Sequence, residues 1–281
     1  MKSVSVYFFV LFACISQTFA QVMPSPVGVQ LYSFREQLKL DVAGSMAKVK
    51  AMGITSVEAA GFFGLNASEF KKIAVANGMK IEGVSAEFAE LEDPAKLKQI
   101  IADAKTSGAD YVVCFWIPHV EGDFTLAETQ RAIDVFNKAG KTITQNKLML
   151  LYHPHGYEFR PYKDIYMMDL LLRKTNPLYL NLEIDINWIY HAGHNPVTWM
   201  KAYPSRCKAM HIKDRIKGTA CNQYGRMDTE KNVAIGTGEV NINDCVKMGR
   251  KIGIKYFFIE DESTRSFEQT PVSIQYLRRF F

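Results

Sequence analysis

Short apolar segments alternate with longer amphipathic segments along most of this chain. The short segments are rich in β-branched and aromatic residues, which favours strands. The longer segments repeat apolar residues with the helical period, and several end at a glycine such as Gly53, Gly78 or Gly108. A glycine at this position favours a helix that ends there in a left-handed turn. The pattern therefore predicts a regular alternation of strands and helices.

The alternation predicts eight strands and eight helices. Strands are expected at 27–32, 56–60, 80–85, 110–116, 148–152, 180–186, 207–212 and 255–259. Helices are expected at 42–52, 67–77, 94–107, 126–143, 166–174, 197–203, 242–251 and 271–280. Near-continuous apolar strands indicate burial on both faces, so the count favours an α/β protein built as a single (β/α)8 TIM barrel. A doubly wound open sheet is the competitor, but no G-x-G-x-x-G follows the first strand.

The beginning of the chain has a different character. Lys2 precedes an apolar run over 4–15, and small residues follow up to Ala20. This order is typical of a secretory signal peptide, so we expect cleavage of residues 1–20 and one barrel domain over 21–281. The run is too short to span a membrane. We expect an exported protein, periplasmic or extracellular, with a lipoprotein anchor through Cys14 as the less favoured alternative.

Composition narrows the class of partner. The 281 residues are 48% hydrophobic and 22% charged, which excludes a mainly disordered, collagen-like or coiled-coil chain. The net charge of +5 is spread without a basic block, which disfavours a nucleic-acid partner. The remaining cysteines are Cys114, Cys207, Cys221 and Cys245. They show no C-x-x-C spacing, which disfavours a zinc cluster, and the three ways of pairing them in disulfides stay open.

Polar side chains follow the last four predicted strands where each strand ends. They are His153 and His155 with Glu158 close behind, Glu183 and Asp185, His211 and Lys213, and Glu260 and Glu262. Residues two apart share one face of a strand, and the carboxyl ends of barrel strands meet at one rim. Carboxylates and imidazoles together suit Mn²⁺, Zn²⁺, Fe²⁺, Co²⁺ or Mg²⁺. The sequence therefore predicts a site for one divalent metal ion at this rim.

Each of these residues taken alone has a structural explanation. A single histidine at a strand end is more often a hydrogen-bonded structural residue, and a carboxylate there often caps the next helix. His191 and His194 fall in a predicted loop and are expected at the surface. The co-occurrence of such side chains on four successive strands favours the functional interpretation.

The strand ends carry motifs that together resemble a known family. The motifs are GVQLYS at 28–33, YHPHGYEF at 152–159, EIDINW at 183–188, HIKD at 211–214, GTGE at 236–239 and IED at 259–261. In this order they resemble the xylose-isomerase-like TIM-barrel family of sugar phosphate isomerases and epimerases, over essentially all of residues 27–281. The resemblance implies one divalent metal held by a Glu, an Asp, a His and a second Glu from strands five to eight.

Three of the four implied ligand positions have the expected residue type in this chain, and one does not. Asp185 matches the Asp, His211 the His and Glu260 the second Glu, whereas His153 stands where many relatives have the first Glu. The implied ligand set is therefore His153, Asp185, His211 and Glu260, with Glu158 or His155 as alternative ways to replace the missing carboxylate.

The chemistry that the resemblance implies is enolisation of a sugar. Glu260 is the candidate base, His155 or Glu158 its acid/base partner, and Lys213 a group that stabilises an oxyanion. The residues expected to line the sugar pocket are Tyr32, Glu58, Trp116 and Glu239.

Three functions stay open at this point. The first is a metal-dependent sugar isomerase or epimerase, and the second is a lyase or hydratase that performs β-elimination on a 3-keto-glycoside or a related oxidised sugar. The third is an exported carbohydrate-binding barrel without catalysis. Export favours a free sugar or glycoside over a sugar phosphate, because sugar phosphates are scarce in a periplasm. The sequence leaves the oligomeric state open, and a homo-oligomer is one of its options.

Overall fold

The computed structural model describes residues 25–222 and 225–281, and these form a closed barrel of eight parallel strands. The strands are β1 (Gly28–Gln30), β2 (Ser56–Ala59), β3 (Lys80–Ala86), β4 (Tyr111–Cys114), β5 (Met149–Tyr152), β6 (Asn181–Asp185), β7 (Cys207–Ile212) and β8 (Tyr256–Ile259). The barrel closes where β8 pairs with β1, with Gly28 opposite Phe258. The predicted single (β/α)8 barrel is confirmed, whereas the predicted signal peptide, residues 1–20, lies outside the described residues.

Helices lie between successive strands. They are α1 (Arg35–Leu40), α2 (Val42–Ala51), α3 (Ala67–Ala76), α4 (Phe88–Glu92), α5 (Pro94–Ser107), α6 (Leu126–Gln145), α7 (Met167–Lys174), α8 (Ile186–His191), α9 (Pro196–Ala202), α10 (Ile242–Lys251) and α11 (Ser266–Leu277). Seven of the eight predicted helices agree with these bounds to within a residue or two. The short helices α1, α4 and α8 were not predicted, because one or two turns show no measurable helical period.

The last helix is the exception among the predicted ones. It was expected to begin at Pro271, because proline is favoured in the first helical turn. The structure begins α11 at Ser266 and places Pro271 inside it. The early start is explained by packing, since the ring of Phe267 lies 4.3 Å from the ring of Phe34. The favourable free energy of burying this aromatic pair compensates for the loss of the backbone hydrogen bond that proline cannot make.

The inside of the barrel is divided into an apolar part and a polar part. The apolar part consists of Tyr111, Val113, Leu151, Ala209, Tyr256 and Phe258, all buried. The polar part begins above it, where the strands end. The Tyr111 ring passes close to Gly83 of β3, where a side-chain carbon would lie 2.1 Å from the ring. Glycine at this position leaves space for the ring. The Tyr111 hydroxyl can therefore donate to the Glu58 carboxylate in the barrel centre.

The longest excursion from the barrel follows β7. Residues 214–215 pair antiparallel with residues 232–233, so the segment between them leaves the barrel and returns. Gly225, Met227 and Thr229 of this segment line the cavity at the carboxyl ends of the strands. A second antiparallel pair joins 161–162 to 165–166. Neither pair was predicted, because two-residue strands leave no periodic signal.

The described cysteines are unpaired. Cys114, Cys207, Cys221 and Cys245 are free thiols, and only Cys221 among them is exposed. Within residues 25–222 and 225–281, no helix combines the length and the apolar character needed to cross a membrane.

Candidate metal centre and active site

A cavity of about 750 Å³ opens at the carboxyl ends of the barrel strands. Its polar lining includes His153, His211 and Glu260, and its apolar lining includes Trp116 and Trp188. In (β/α)8 barrels the active site lies at this end, because the loops after the strands meet there. The predicted rim and the observed cavity therefore coincide.

The four predicted metal ligands come together in this cavity. His153, Asp185, His211 and Glu260 each offer one ligand atom, and these atoms all lie within 4.8 Å of one another. Each of the four is buried and stands in or directly after one of the strands β5 to β8. Asp185 is placed by two elements at once, because it ends β6 and its Oδ1 accepts a hydrogen bond from the Trp188 amide at the start of α8.

The donor atoms of this cluster fit a divalent cation. Asp185 Oδ2 is buried and has no hydrogen-bond partner, and the nearest cationic group, Lys213 Nζ, is 3.9 Å away. Buried polar atoms normally have partners, so an unpaired carboxylate oxygen beside two imidazoles fits a position at which a cation would bind. A mixed imidazole and carboxylate set suits Zn²⁺, Mn²⁺, Fe²⁺ or Co²⁺.

A second carboxylate layer lies below the four predicted ligands. Glu183 Oε2 is 3.2 Å from His153 Nδ1 and 3.2 Å from His211 Nε2. Glu58 Oε1 is 3.1 Å from the same His211 nitrogen. Glu58 also accepts hydrogen bonds from Gln30 and Tyr111, so it is fixed from both sides. The sequence predicted Glu58 as a substrate contact, and the structure makes it part of the cavity floor.

The histidines differ in charge because their neighbours differ. Burial disfavours charge on His211, but three facing carboxylates outweigh it and raise its pKa well above the usual value. Burial lowers the pKa of His153 well below the usual value, and that of His155 to about 3. Both are therefore neutral imidazoles at neutral pH, which is the form that binds metals.

The carboxylates differ in the same way. Burial opposes charge on Glu260, but Lys213 and His211 outweigh it and hold its pKa well below the usual value. Burial raises the pKa of Asp185 to about 6. Burial and the neighbouring Glu58 raise the pKa of Glu183 well above its usual value. The site thus holds more buried acidic groups than its own cations balance.

Lys213 is the one ammonium group among the described residues that reaches this cluster. It is fully buried, with Nζ 2.9 Å from Glu260 Oε2 and 2.5 Å from Glu262 Oε1. Burial opposes its charge, yet the facing carboxylates raise its pKa above the usual value. Its ammonium also lies 5.2 Å from the centre of the Trp188 ring. Lys213 is thus held as a cation beside the candidate base.

Aromatic side chains form one wall of the cavity. The Trp116 ring centre lies 5.5 Å from that of His155, and His155 lies 5.2 Å from Trp188. His155 Nδ1 is buried without a hydrogen-bond partner. Tyr32 lines the cavity at a more open position, 43% exposed. The predicted contacts Tyr32 and Trp116 both line the cavity.

The structure does not support a proton-transfer role for Glu158. It lies outside the cavity lining and is fully buried. Its carboxylate accepts hydrogen bonds from the Tyr152 hydroxyl and from the amides of His155 and Gly156. Burial raises its pKa to about 7. Glu158 therefore holds the turn after β5 in place, because three donors of its own loop occupy it.

Glu239 is likewise not a substrate contact. Its carboxylate accepts from Arg215 Nε and from the Gly218 amide, both at 2.8 Å, outside the cavity lining. His191 is buried rather than at the surface, with Nδ1 2.8 Å from Arg215 Nη1. His194 is half-buried. The surface prediction for His191 was wrong because the excursion after β7 packs on it, with His191 Nε2 2.7 Å from the Arg226 carbonyl oxygen. His194 is partly covered by the rings of Phe159 and Tyr166.

Two residues of the site were not assigned a role from sequence. Glu183 and Glu262 stand two positions from a predicted ligand, Asp185 and Glu260 respectively. Residues at this spacing share a strand face, so the signal was present. Sequence alone could not show that Glu183 reaches two histidines or that Glu262 reaches Lys213, since those partners lie on other strands.

Comparison with known proteins agrees with the geometry. A family profile described as xylose isomerase-like TIM barrel matches residues 46–280. Inosose dehydratase of Mesomycoplasma hyopneumoniae is 32% identical over 92 residues, which cover 32% of this chain. The match spans only 30% of the length of that relative.

Solved structures share the fold along nearly the whole chain. A sugar phosphate isomerase/epimerase from Parabacteroides distasonis superposes with a TM-score of 0.75 at 21% identity, over 92% of this chain and 97% of that chain. The IolI protein, solved with a zinc atom bound, superposes with a TM-score of 0.64 at 15% identity, over 90% of this chain and 95% of that chain.

Proposed function

Because this chain belongs to the xylose isomerase-like TIM barrel family, we propose that it is a divalent-metal-dependent enzyme that isomerises or epimerises a sugar by enolisation. The observation that carries the proposal is the meeting of His153, Asp185, His211 and Glu260 within 4.8 Å at the barrel mouth. The zinc atom in the structure of IolI supports a metal in a barrel of this fold.

The chain supplies a base and an adjacent cation. The four ligands would hold a divalent ion, and such an ion would supply Lewis-acid polarisation of a substrate carbonyl. Glu260 is ionised, so it accepts the proton from that carbon, and the C–H electron pair enters the enediolate. The Lys213 ammonium, 2.9 Å from Glu260, balances the negative charge beside the reacting carbons.

The fate of that proton defines the reaction. In an isomerisation the protonated Glu260 returns it to the adjacent carbon, and the hydroxyl proton of the enediolate passes to the former carbonyl oxygen. In an epimerisation a second group delivers a proton to the opposite face of the same carbon while Glu260 keeps the one it took. His155 is the remaining imidazole on the aromatic wall, and its low pKa of about 3 makes it a neutral hydrogen-bond partner for a substrate oxygen. The aromatic faces of Trp116 and Trp188 suit the C–H face of a sugar ring.

The charge of the cavity indicates a substrate without phosphate. The described lining contains seven carboxylates, namely Glu58, Glu87, Glu90, Asp103, Glu183, Glu260 and Glu262. Arg226 is the only lysine or arginine in that lining. A mostly acidic lining favours an uncharged sugar over a phosphate dianion. The expected export of the chain supports the same substrate class, a free sugar or a glycoside.

The test follows hydrogen exchange in the purified protein. The chain is stripped with a chelator, reloaded with Mn²⁺, Zn²⁺, Co²⁺ or Mg²⁺, and incubated in D₂O with a panel of aldoses and ketoses. We expect deuterium at the carbon next to the carbonyl only in the metal-loaded protein, followed by sugar products with the same mass plus deuterium. The Asp185→Asn variant should lose metal affinity and exchange together, each by at least about 100-fold.

A matched control and two contrary outcomes complete this test. Glu239→Gln changes a carboxylate outside the cavity and should leave exchange unchanged. Undiminished exchange in metal-free protein would refute metal dependence. Tight sugar binding without exchange across the panel would instead support the non-catalytic carbohydrate-binding barrel.

A lyase is the second candidate, and two observations favour it. A matched relative is named as a dehydratase, inosose dehydratase. The site also has His153 after strand β5 where a carboxylate was expected, so Glu260 is the ionised carboxylate beside Lys213 that is placed to act as a base, with a neutral His155 nearby. A single base suffices for β-elimination: Glu260 takes the proton, the C–H pair forms the C=C bond, the β C–O bond breaks, and the carboxyl proton passes to the leaving oxygen.

The two candidates give different products from an oxidised sugar. With a 3-keto-glycoside, the lyase releases the aglycone and an enone that absorbs in the ultraviolet. The isomerase releases no aglycone and forms no enone. An absorbance rise that disappears in Asp185→Asn would therefore select the lyase.

A further inference from the structure

We propose that Glu183 is a positioning residue that fixes which ring nitrogen His153 and His211 present to the metal, and that the two rings present opposite nitrogens. This inference rests on the proposed metal-dependent function and adds a role for a residue that is not itself among the four ligands. It follows from the hydrogen bonds that the two rings make below the metal centre.

The two nitrogens of His153 face different groups. Its Nδ1 lies 3.2 Å from Glu183 Oε2, and its Nε2 lies 3.9 Å from Asp185 Oδ2, the carboxylate oxygen that lacks a partner. A neutral imidazole carries one N–H, and that N–H needs an acceptor. Glu183 is the acceptor at Nδ1, so Nε2 is left with its lone pair toward the metal.

His211 has the reverse arrangement. Its Nε2 lies 3.2 Å from Glu183 Oε2 and 3.1 Å from Glu58 Oε1. Its Nδ1 lies 3.1 Å from Glu260 Oε2, on the side of the predicted ligands. Carboxylates therefore face both nitrogens. Glu260 is itself a predicted ligand, so an ion held there would replace the proton at Nδ1, and the N–H that stays would lie at Nε2, between the two carboxylates that are not predicted ligands.

The topology of the barrel explains why one carboxylate serves both rings. Strand β6 lies between β5 and β7, and His153 and His211 stand at the ends of those two neighbours. Asp185 and Glu183 share the inner face of β6 at a spacing of two residues. The upper residue, Asp185, is a ligand, and the lower residue, Glu183, lies beneath both imidazoles.

Burial makes this arrangement rigid. Glu183 is 1% exposed, and His153 and His211 are 3% and 2% exposed. A buried imidazole cannot turn over without leaving its N–H and the carboxylate unpaired, which is costly for side chains with so little contact with water. Carboxylates that accept from a metal-ligating histidine orient the ring and raise its basicity, and their loss typically weakens metal binding by about 10- to 100-fold.

The first experiment measures Zn²⁺ affinity by competition with a chelating dye. Glu183→Gln keeps the shape of the side chain but can never become a carboxylate, the form that accepts from both rings, and we expect affinity to fall by about 10- to 100-fold with one Zn²⁺ per chain in both proteins. Glu82→Gln is the matched control, because Glu82 is a strand carboxylate of β3 bound to Lys80 at the opposite end of the barrel. Its Zn²⁺ affinity should equal that of the unaltered protein.

The second experiment needs no variant. In ¹⁵N-histidine-labelled protein with Zn²⁺ bound, long-range ¹H–¹⁵N spectra report which nitrogen of each ring carries the proton. We expect the proton of His153 at Nδ1 and that of His211 at Nε2. A residue that only stabilises the fold would not determine which nitrogen of each ring carries the proton.

The outcomes separate this inference from the function on which it rests. Failure of the unaltered protein to bind Zn²⁺ would overturn the metal centre and this inference with it. Equal Zn²⁺ affinity in Glu183→Gln, or the same protonated nitrogen in both rings, would overturn the inference alone. A second Zn²⁺ that disappears in Glu183→Gln would also overturn it, because Glu183 would then be a ligand.

Discussion

Glu158 illustrates how surroundings set the role of a side chain. In sequence it lies close behind His153 and His155, which made it a candidate acid or base. In the structure, donors from Tyr152, His155 and Gly156 occupy its carboxylate. The group is therefore a buried anchor of a loop, and its titration affects stability rather than the reaction.

We expect Glu158 to make the fold less stable as the pH rises. Burial raises its pKa from 4.5 to about 7. Between these values the folded chain keeps a proton that the unfolded chain has released, so the free energy of unfolding falls by up to about 1.4 kcal/mol per pH unit. Urea unfolding at pH 5, 6, 7 and 8 should show a flatter dependence in Glu158→Gln. Parallel curves for the two proteins would contradict the assignment, and the exposed Glu121→Gln is the control.

The described cysteines should differ sharply in reactivity. Cys221 is exposed, whereas Cys114, Cys207 and Cys245 are buried. Burial also raises the pKa of each of these three thiols to about 12, so they hold almost no thiolate at neutral pH. Among these four, brief treatment of the folded protein with iodoacetamide should modify Cys221 alone, as judged by peptide mass spectrometry. Modification of all four before unfolding, or of none, would contradict this packing.

At the scale of elements, periodicity predicted long segments and missed short ones. The helix α6 (Leu126–Gln145) was predicted over 126–143 from its amphipathic pattern, and the structure adds a capping box in which Thr125 and Glu128 close its first turn. The helix α8 was missed because six residues give too little pattern. Yet α8 matters for the site, since its first turn fixes Asp185. The sequence therefore predicts short elements at strand ends least well, although these elements position residues of the candidate site.

At Gly140, packing between elements should reverse the usual advantage of alanine over glycine inside a helix. Glycine inside a helix usually costs about 0.5–1 kcal/mol relative to alanine. In α6, however, a side-chain carbon at Gly140 would lie 2.2 Å from the backbone oxygen of Tyr179. We expect Gly140→Ala to destabilise the protein by about 1–3 kcal/mol, because backbone must move to admit it.

Thermal or urea unfolding measures this effect. The neighbouring Lys141→Ala is the control, because Lys141 is exposed on the same helix. Its effect should stay within about 0.5 kcal/mol. A Gly140→Ala variant as stable as the unaltered protein would show that α6 is not in close contact with the backbone of residue 179.

At the scale of the whole molecule, the metal should couple distant parts of the chain. Its predicted ligands come from four strands, so a bound ion stabilises the folded barrel over the unfolded chain. At about 100 times the dissociation constant the gain is about 2.7 kcal/mol. Zn²⁺ should therefore raise the melting temperature of chelator-treated protein, and Asp185→Asn should abolish the shift. An equal shift in both proteins would place the ion elsewhere.

The order of residues along the chain was enough to predict the barrel and the end of it that carries chemistry. Strand and helix periods depend on near neighbours in the chain, and strands of a (β/α)8 barrel follow one another around it in sequence order. Residues at the ends of successive strands, such as Asp185 and His211, could therefore be expected to meet from their positions in the chain alone.

Tertiary packing determined which polar neighbours face the cavity and which serve the loops. His211 and Glu58 lie 3.1 Å apart although 153 positions separate them. No local pattern records such a contact, because it depends on how β2 and β7, three positions apart around the barrel, direct their side chains inward. The same long-range packing paired Glu239 with Arg215 and brought Glu183 beneath two histidines. Glu158, in contrast, is held by donors two to six positions away in the chain.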